Sequence, residues 1–125
     1  MNNEFDQFKD AFFEEAAEHL AMMEEGLLQL EQNPGDLDLL NKIFRSAHSI
    51  KGASGMFGFD CVAQFTHKME TLLDLLRSGK KAVTPPISDL LLKATDCLKL
   101  LIDAAKSNEQ TEASAVQQLT EALAA

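Results

Sequence analysis

The amino-acid sequence predicts an all-α fold, an up-down antiparallel four-helix bundle with an additional fifth helix at the C-terminal end. Apolar residues recur at steps of three and four along most of the 125-residue chain, which is the spacing of helices with one buried face. No segment alternates apolar and polar residues as a half-exposed strand does. The breaks between the periodic segments are short, and short connections place successive helices side by side and antiparallel.

The first two helices are separated by the break Asn33-Pro34-Gly35. The first helix is predicted over residues 4–32, and its core-facing stripe is Phe5, Phe8, Phe12, Ala16, Leu20, Met23, Leu27 and Leu30. The second helix is predicted over residues 36–55. We expect Asp36 to be its N-cap, because a short acidic side chain accepts a hydrogen bond from a free amide of the first turn.

The third helix is predicted over residues 60–78, between a cap at Asp60 and a stop at Ser78-Gly79-Lys80. Its apolar face consists of Cys61, Val62, Phe65, Met69, Leu72, Leu73 and Leu76. The opposite face carries His67, Glu70 and Asp74.

Pro85 and Pro86 fit the first turn of a fourth helix over residues 85–106, where a missing amide donor costs nothing. A short fifth helix over residues 111–124 is expected to begin at Thr111. Its inward residues are Val116, Leu119 and Leu123. All five helices are assigned to a single domain, residues 1–125.

Composition narrows the classes of partner. The formal net charge of −9 and the pI of about 4.6 argue against nucleic acid or an anionic membrane, and favour a partner with a basic rim. Cys61 and Cys97 have no metal-binding or redox spacing, so we expect both to be reduced core residues. The sequence shows neither a secretory leader nor a membrane-spanning segment, which predicts a cytoplasmic domain without membrane insertion. The domain is also expected to be monomeric.

The segment Phe44–Phe59 carries the features that point to function. On a helix, His48 faces away from the apolar stripe of this segment. The same outward side also carries Asn41, Arg45, Lys51, Gly52 and Gly55. Each glycine inside a helix costs roughly 1 kcal/mol relative to Ala, so two of them beside one histidine suggest a surface that is kept clear for another molecule.

His48 also has a potential partner on the third helix. If the second and third helices form an antiparallel hairpin about residues 55–59, Glu70 comes within reach of His48. A phosphoryl carrier needs an exposed imidazole nitrogen, an acceptor that holds the other ring nitrogen as a donor, and a nearby positive charge. His48, Glu70 and Lys51 fit these three requirements. The commoner fate of a surface Lys or Glu is a solvated helix face, and only the constellation around His48 argues otherwise.

Three segments together resemble the histidine phosphotransfer (HPt) domains of chemotaxis histidine kinases, the CheA type. They are Ile43-Phe44-Arg45-Ser46-Ala47-His48-Ser49-Ile50-Lys51-Gly52, Phe57-Gly58-Phe59 and Thr66-His67-Lys68-Met69-Glu70. The resemblance covers nearly the whole chain. It departs from the family pattern at Ala53, where a third small residue is often Gly.

The resemblance implies an HPt-like bundle in which His48 is phosphorylated. It further implies that Glu70 and His67 tune the imidazole ring and that Lys51 lies beside the phosphoryl group. Arg45, Gly52 and Gly55 are expected to contact docking partners.

The implied donor is the ATP-binding kinase domain of a CheA-type protein, and the implied acceptors are aspartates of CheY-type and CheB-type response regulators. No cofactor is expected on this domain, because ATP and Mg²⁺ serve the separate kinase domain. A free-standing HPt phosphorelay protein is the first alternative, and a non-catalytic structural or adaptor bundle is the second.

The sequence gives less support to two other site classes. A di-metal site in a helical bundle requires Glu three residues before His, but those positions hold Ala16, Arg45 and Gln64, so no metal site is predicted. The chain also lacks the GxxxxGK[ST] loop and the strand-linked GxGxxG loop that bind nucleotide phosphates. We therefore expect a phosphoryl carrier without an ATP site of its own.

Overall fold

The fold consists of five helices, which a computed structural model describes over residues 4–107 and 113–124. They are α1 (Glu4–Gln32), α2 (Leu37–Met56), α3 (Asp60–Arg77), α4 (Pro85–Ser107) and α5 (Ala113–Ala124). No strand occurs within those ranges. The prediction of an all-α fold is confirmed.

The first four helices form a closed ring around one apolar core. α1 packs against α2 and α4, and α3 packs against the same two helices from the opposite side. The short α5 packs on α3 and α4 outside the ring. This is the predicted four-helix bundle with an added fifth helix. None of the helices in the described part of the chain is long and apolar enough to cross a membrane.

Local chemistry fixes both ends of α2. Asp36 caps its N-terminus as predicted, and its Oδ1 accepts a hydrogen bond from the backbone amide of Leu39 at 3.1 Å. At the other end Gly58 has a φ of 76°, a conformation that other residues rarely adopt. It lets the backbone amide of Phe59 donate to the carbonyl oxygen of Ser54 at 2.9 Å, so the chain turns sharply out of the helix.

α3 ends in the same way as α2 but begins differently from the prediction. Gly79 has a φ of 79° and lies just beyond the last turn, as the Ser78-Gly79-Lys80 stop predicted. The prediction that Asp60 caps α3 is wrong: Phe59 occupies the cap position without a side-chain hydrogen bond, and Asp60 is the first helical residue. Because the amide of Phe59 is hydrogen-bonded to the end of α2, α3 begins at the next residue.

Two residues assigned to core stripes are exposed. Phe8 is 62% exposed because α1 extends one turn past Phe12, which already packs on the α2–α3 turn at the end of the bundle. Cys61 is exposed and Cys97 is buried, so the core prediction is wrong for Cys61, where Val62 takes the inward position. The side chain of Phe5 and the predicted helix start at Thr111 lie outside the described residues.

α1 and α2 approach each other closely at Gly26. A Cβ atom added there would lie 2.8 Å from Cγ1 of Ile43, which is fully buried. Such a separation is too short for two non-bonded carbons, so the α1–α2 distance depends on the absence of a side chain at this position.

We therefore expect Gly26→Ala to lower the free energy of unfolding by about 1 to 3 kcal/mol through overpacking, despite the better helix propensity of Ala. Gly52→Ala is the matched control, because an added Cβ at that exposed helical position meets nothing within 4 Å. The control should raise the free energy of unfolding by up to about 1 kcal/mol. Urea unfolding measures both changes, and equal stabilisation by the two substitutions would contradict the close approach at Gly26.

Candidate functional site

An aromatic cluster at one end of the bundle anchors the turn between α2 and α3. Phe12 and Phe13 of α1 meet Phe57 and Phe59 of the turn, with ring centroids 5.5 to 5.6 Å apart in tilted arrangements. The turn has only three residues, 57–59. Anchoring it therefore fixes the register of α3 against α2.

This register brings three polar side chains together on the outer edge of the α2–α3 pair. His48 Nδ1 lies 2.8 Å from Glu70 Oε2, and Lys51 Nζ lies 2.8 Å from Glu70 Oε1. The predicted approach of Glu70 to His48 is confirmed. The ion pair between Lys51 and Glu70 was not predicted, although residues 48 and 51 lie on one face of α2 and could have suggested a shared partner.

The carboxylate of Glu70 is the least exposed member of the group. Its burial acts to raise its pKa, but hydrogen bonds from Lys51 and His48, together with their charges, prevail and hold the pKa of Glu70 below its ordinary value. Glu70 is therefore ionised at neutral pH, and each of its two oxygens accepts a hydrogen bond from a different side chain of α2.

The contact with Glu70 determines which nitrogen of His48 can react. A carboxylate only accepts hydrogen bonds, so Nδ1 carries the ring proton and Nε2 keeps its lone pair in the neutral imidazole. The side chain of His48 is 62% exposed, whereas that of Glu70 is 13% exposed. The arrangement thus presents one nucleophilic nitrogen to solvent while the other is held from the protein side.

Phe44, which lies beside His48, and Arg77, which lies against Phe44, were not predicted as parts of the site. The ring of Phe44, one turn earlier on α2, lies nearly parallel to the imidazole, with 10° between the planes and 6.1 Å between the centroids. The guanidinium carbon of Arg77 lies 3.6 Å from the centroid of the same Phe44 ring. The sequence did offer one signal for Arg77. A seven-residue step spans about two helical turns, so Arg77 lies on the same face of α3 as Glu70.

The other predicted site residues are placed as follows. Arg45 is exposed on α2, and Gly52 and Gly55 are exposed with open space at the Cβ position. His67 is exposed and lines a groove that α3 shares with the end of α5, near Leu123. Within the described residues, no hydrogen bond or ion pair joins His67 to His48 or Glu70.

The described side chains offer no cluster of three or more His, Cys, Asp or Glu residues that could hold a metal ion. The two polar contacts of the site, from His48 and from Lys51 to Glu70, join α2 to α3 directly. A group that is transferred to Nε2 of His48 would project from this edge of the bundle toward solvent.

Comparisons with known proteins agree with this geometry. The Hpt domain family matches residues 7–125. Chemotaxis protein CheA of Salmonella typhimurium is 41% identical over 123 residues, which cover 98% of this chain and 18% of that protein. The chain thus spans less than a fifth of the length of this relative.

Two solved structures share the fold over nearly their whole length. The phosphorylated P1 domain of CheA3 in complex with CheY6 from R. sphaeroides has a TM-score of 0.84 at 28% identity, and the match covers 94% of this chain and 93% of that one. The CheA phosphotransferase domain from Thermotoga maritima has a TM-score of 0.75 at 30% identity, and the match covers 83% of this chain and 98% of that one. The chain belongs to the Hpt domain family, and within it to the phosphotransfer domains of the CheA type.

Proposed function

We propose that His48 accepts a phosphoryl group on Nε2 from a kinase domain and passes it to an aspartate of a response regulator. The observation that carries this proposal is the 2.8 Å contact between His48 Nδ1 and the Glu70 carboxylate, which leaves Nε2 as the exposed nucleophile.

The chemistry requires little from this chain. In the first transfer the lone pair of Nε2 forms a bond to phosphorus while the bond between phosphorus and the oxygen of the leaving nucleotide breaks. The phosphorylated ring keeps its proton on Nδ1 and carries a positive charge, which the Glu70 carboxylate stabilises. In the second transfer a carboxylate oxygen of the acceptor bonds to phosphorus, the bond from nitrogen breaks, and its electron pair returns to Nε2.

Lys51 is proposed to serve both Glu70 and the phosphoryl group. Its ammonium group has three donors, and the hydrogen bond to Glu70 engages one of them. The side chain is 27% exposed, and its remaining donors are proposed to reach the phosphoryl group on the same edge. The role of His67 in tuning the ring stays a prediction, because no contact in the described residues links it to the imidazole.

The partners are proposed from the relatives. The chain matches the CheA of Salmonella typhimurium over 18% of that protein's length, so the kinase domain that binds ATP and Mg²⁺ is proposed to lie outside this domain. The similar P1 domain in complex with CheY6 supports a CheY-type acceptor, and a CheB-type acceptor follows from the CheA resemblance. Arg45, Gly52 and Gly55 are proposed to face these partners. A cytoplasmic location stays a prediction.

His48→Gln should abolish acid-labile phosphorylation by a CheA kinase fragment, because the amide offers no nucleophilic nitrogen. The fold should persist, since the side chain is 62% exposed. His19→Gln is the control, because residue 19 lies on α1 and no hydrogen bond or ion pair joins it to His48, Lys51 or Glu70 in the described structure. This variant should be labelled as well as wild type. Mass spectrometry that places the phosphoryl group on His19 or His67 would contradict the assignment.

Glu70→Ala should slow phosphorylation of His48 by about tenfold to a thousandfold without abolishing it, because Nδ1 loses the acceptor that fixes its proton. Asp103→Ala is the control, since it removes an exposed carboxylate from α4, which carries no site residue. Stopped-flow transfer rates and nitrogen NMR of His48 measure the effect. An unchanged rate with an unchanged ring tautomer would show that Glu70 does not orient the imidazole.

Incubation with Mg²⁺ and ATP alone should leave the domain unphosphorylated, because the chain has no recognisable nucleotide-binding loop. Addition of a CheA kinase fragment should label His48, and a CheY-type regulator added next should remove the label as its own aspartate is phosphorylated. Labelling by ATP alone that persists through repurification and disappears in His48→Gln would show that the domain is itself a kinase.

A further inference from the structure

A second group of contacts continues along the α2–α3 edge from the His48 site. Arg77 Nε donates to Asp74 Oδ1 at 2.8 Å, and Arg77 Nη1 donates to Asn41 Oδ1 at 3.4 Å. The guanidinium is thus tied to its own helix and to α2 at the same time. Its central carbon lies 3.6 Å from the centroid of the Phe44 ring, within the range of a strong cation–π contact.

Phe44 connects this group to the reactive histidine. Its ring plane is only 10° from that of the His48 imidazole, with centroids 6.1 Å apart, because the two residues are four apart on α2. The same Phe44 ring therefore meets the Arg77 guanidinium and the imidazole. A change in the orientation of Phe44 changes the surface that His48 lies against.

The imidazole needs such a constraint. His48 is mostly exposed, and its ring makes one hydrogen bond in the described structure, at Nδ1. Rotation about the bond between Cβ and Cγ breaks that hydrogen bond and frees the proton to occupy either nitrogen. A flat neighbour that lies parallel to the ring disfavours this rotation.

We propose that Arg77 is a positioning residue for His48 and acts through Phe44. Arg77 holds the Phe44 ring, and the Phe44 ring holds the imidazole in the plane in which Nδ1 meets Glu70 and Nε2 faces outward. This inference rests on the proposed function of His48. Neither the guanidinium nor the Phe44 ring has a part in the bond-making steps.

The test compares variants that remove the guanidinium, replace it with another cation, or remove the aromatic ring between Arg77 and His48. Arg77→Met keeps most of the aliphatic stem and removes the guanidinium, Arg77→Lys keeps a cation, and Phe44→Leu removes the ring face. Lys80→Met is the control, because it deletes an exposed cation three residues from Arg77. The donor is phosphoramidate, a small phosphoryl donor that needs no protein docking surface.

Arg77→Met should slow phosphorylation of His48 by phosphoramidate by about threefold to thirtyfold, as expected for the loss of a partly desolvated cation–π contact. Arg77→Lys should recover part of this loss, and Lys80→Met should match wild type. Nitrogen NMR at about pH 8.5, where an ordinary imidazole is neutral, should show the two ring-nitrogen shifts of Arg77→Met moving toward each other as the tautomers mix. If Arg77 only stabilised the fold, Arg77→Met would lower the unfolding midpoint and leave the two ring-nitrogen shifts of His48 unchanged.

The double variant Phe44→Leu/Arg77→Met decides whether Arg77 acts through Phe44. If it does, the double variant should be no slower than Phe44→Leu alone, because residues that act in one chain of contacts are not additive. Multiplied losses would overturn the proposal and indicate that Arg77 acts independently. Unchanged tautomer and rate in a folded Arg77→Met would also overturn it. Absence of phosphorylation at His48 in the wild-type domain would instead contradict the proposed function, so the two failures are distinguishable.

Discussion

The site depends on the sharing of one carboxylate, that of Glu70, between two side chains of the neighbouring helix. Glu70 reaches from α3 to His48 and Lys51 of α2, with both contacts at 2.8 Å. The hydrogen bond to His48 fixes the ring proton, and the ion pair with Lys51 keeps the acceptor ionised. Because Glu70 is largely covered while His48 is largely exposed, the orienting interaction is protected and the reactive nitrogen is accessible.

That sharing is possible only in one register of α3 against α2, and the register is set away from the polar site. Gly58 makes a tight turn, and Phe57 and Phe59 pack the turn against Phe12 and Phe13 of α1. A shift of α3 by one residue would rotate Glu70 about 100° around the helix and remove it from His48. The aromatic cluster at the end of the bundle is therefore part of the support of the site.

The sequence was sufficient to predict the features that arise from local pattern. Helical periodicity predicted the all-α bundle, and the turn at residues 55–59 predicted that Glu70 approaches His48. Predictions of individual end residues were weaker, because periodicity alone does not show where a neighbouring helix stops. Phe8 continues the stripe of α1 but extends past the end of the bundle, and Cys61 lies at the rim beside the buried Val62.

The features that the sequence did not reveal depend on how closely two helices pack and on which side chains meet between them. Gly26 matters because of Ile43, and Arg77 matters because of Phe44 and Asn41. Each of these residues has an ordinary local explanation, such as an isolated helical glycine or a solvated cation near a helix end. The distances between α1 and α2, and between α2 and α3, show that Gly26 and Arg77 instead take part in contacts between helices.

A phosphoryl carrier places opposing demands on its histidine, and the arrangement along the α2–α3 edge meets both. Two different partners must reach Nε2 in line, so no wall can surround the imidazole, yet a freely rotating ring would present its two nitrogens interchangeably. The imidazole therefore has to be restrained by residues of the neighbouring helix and by residues one turn away on its own helix. Glu70 holds one edge of the ring, Phe44 lies parallel to it, and Gly52 leaves the approach open. Because these constraints lie within two packed helices, they do not depend on a bound partner.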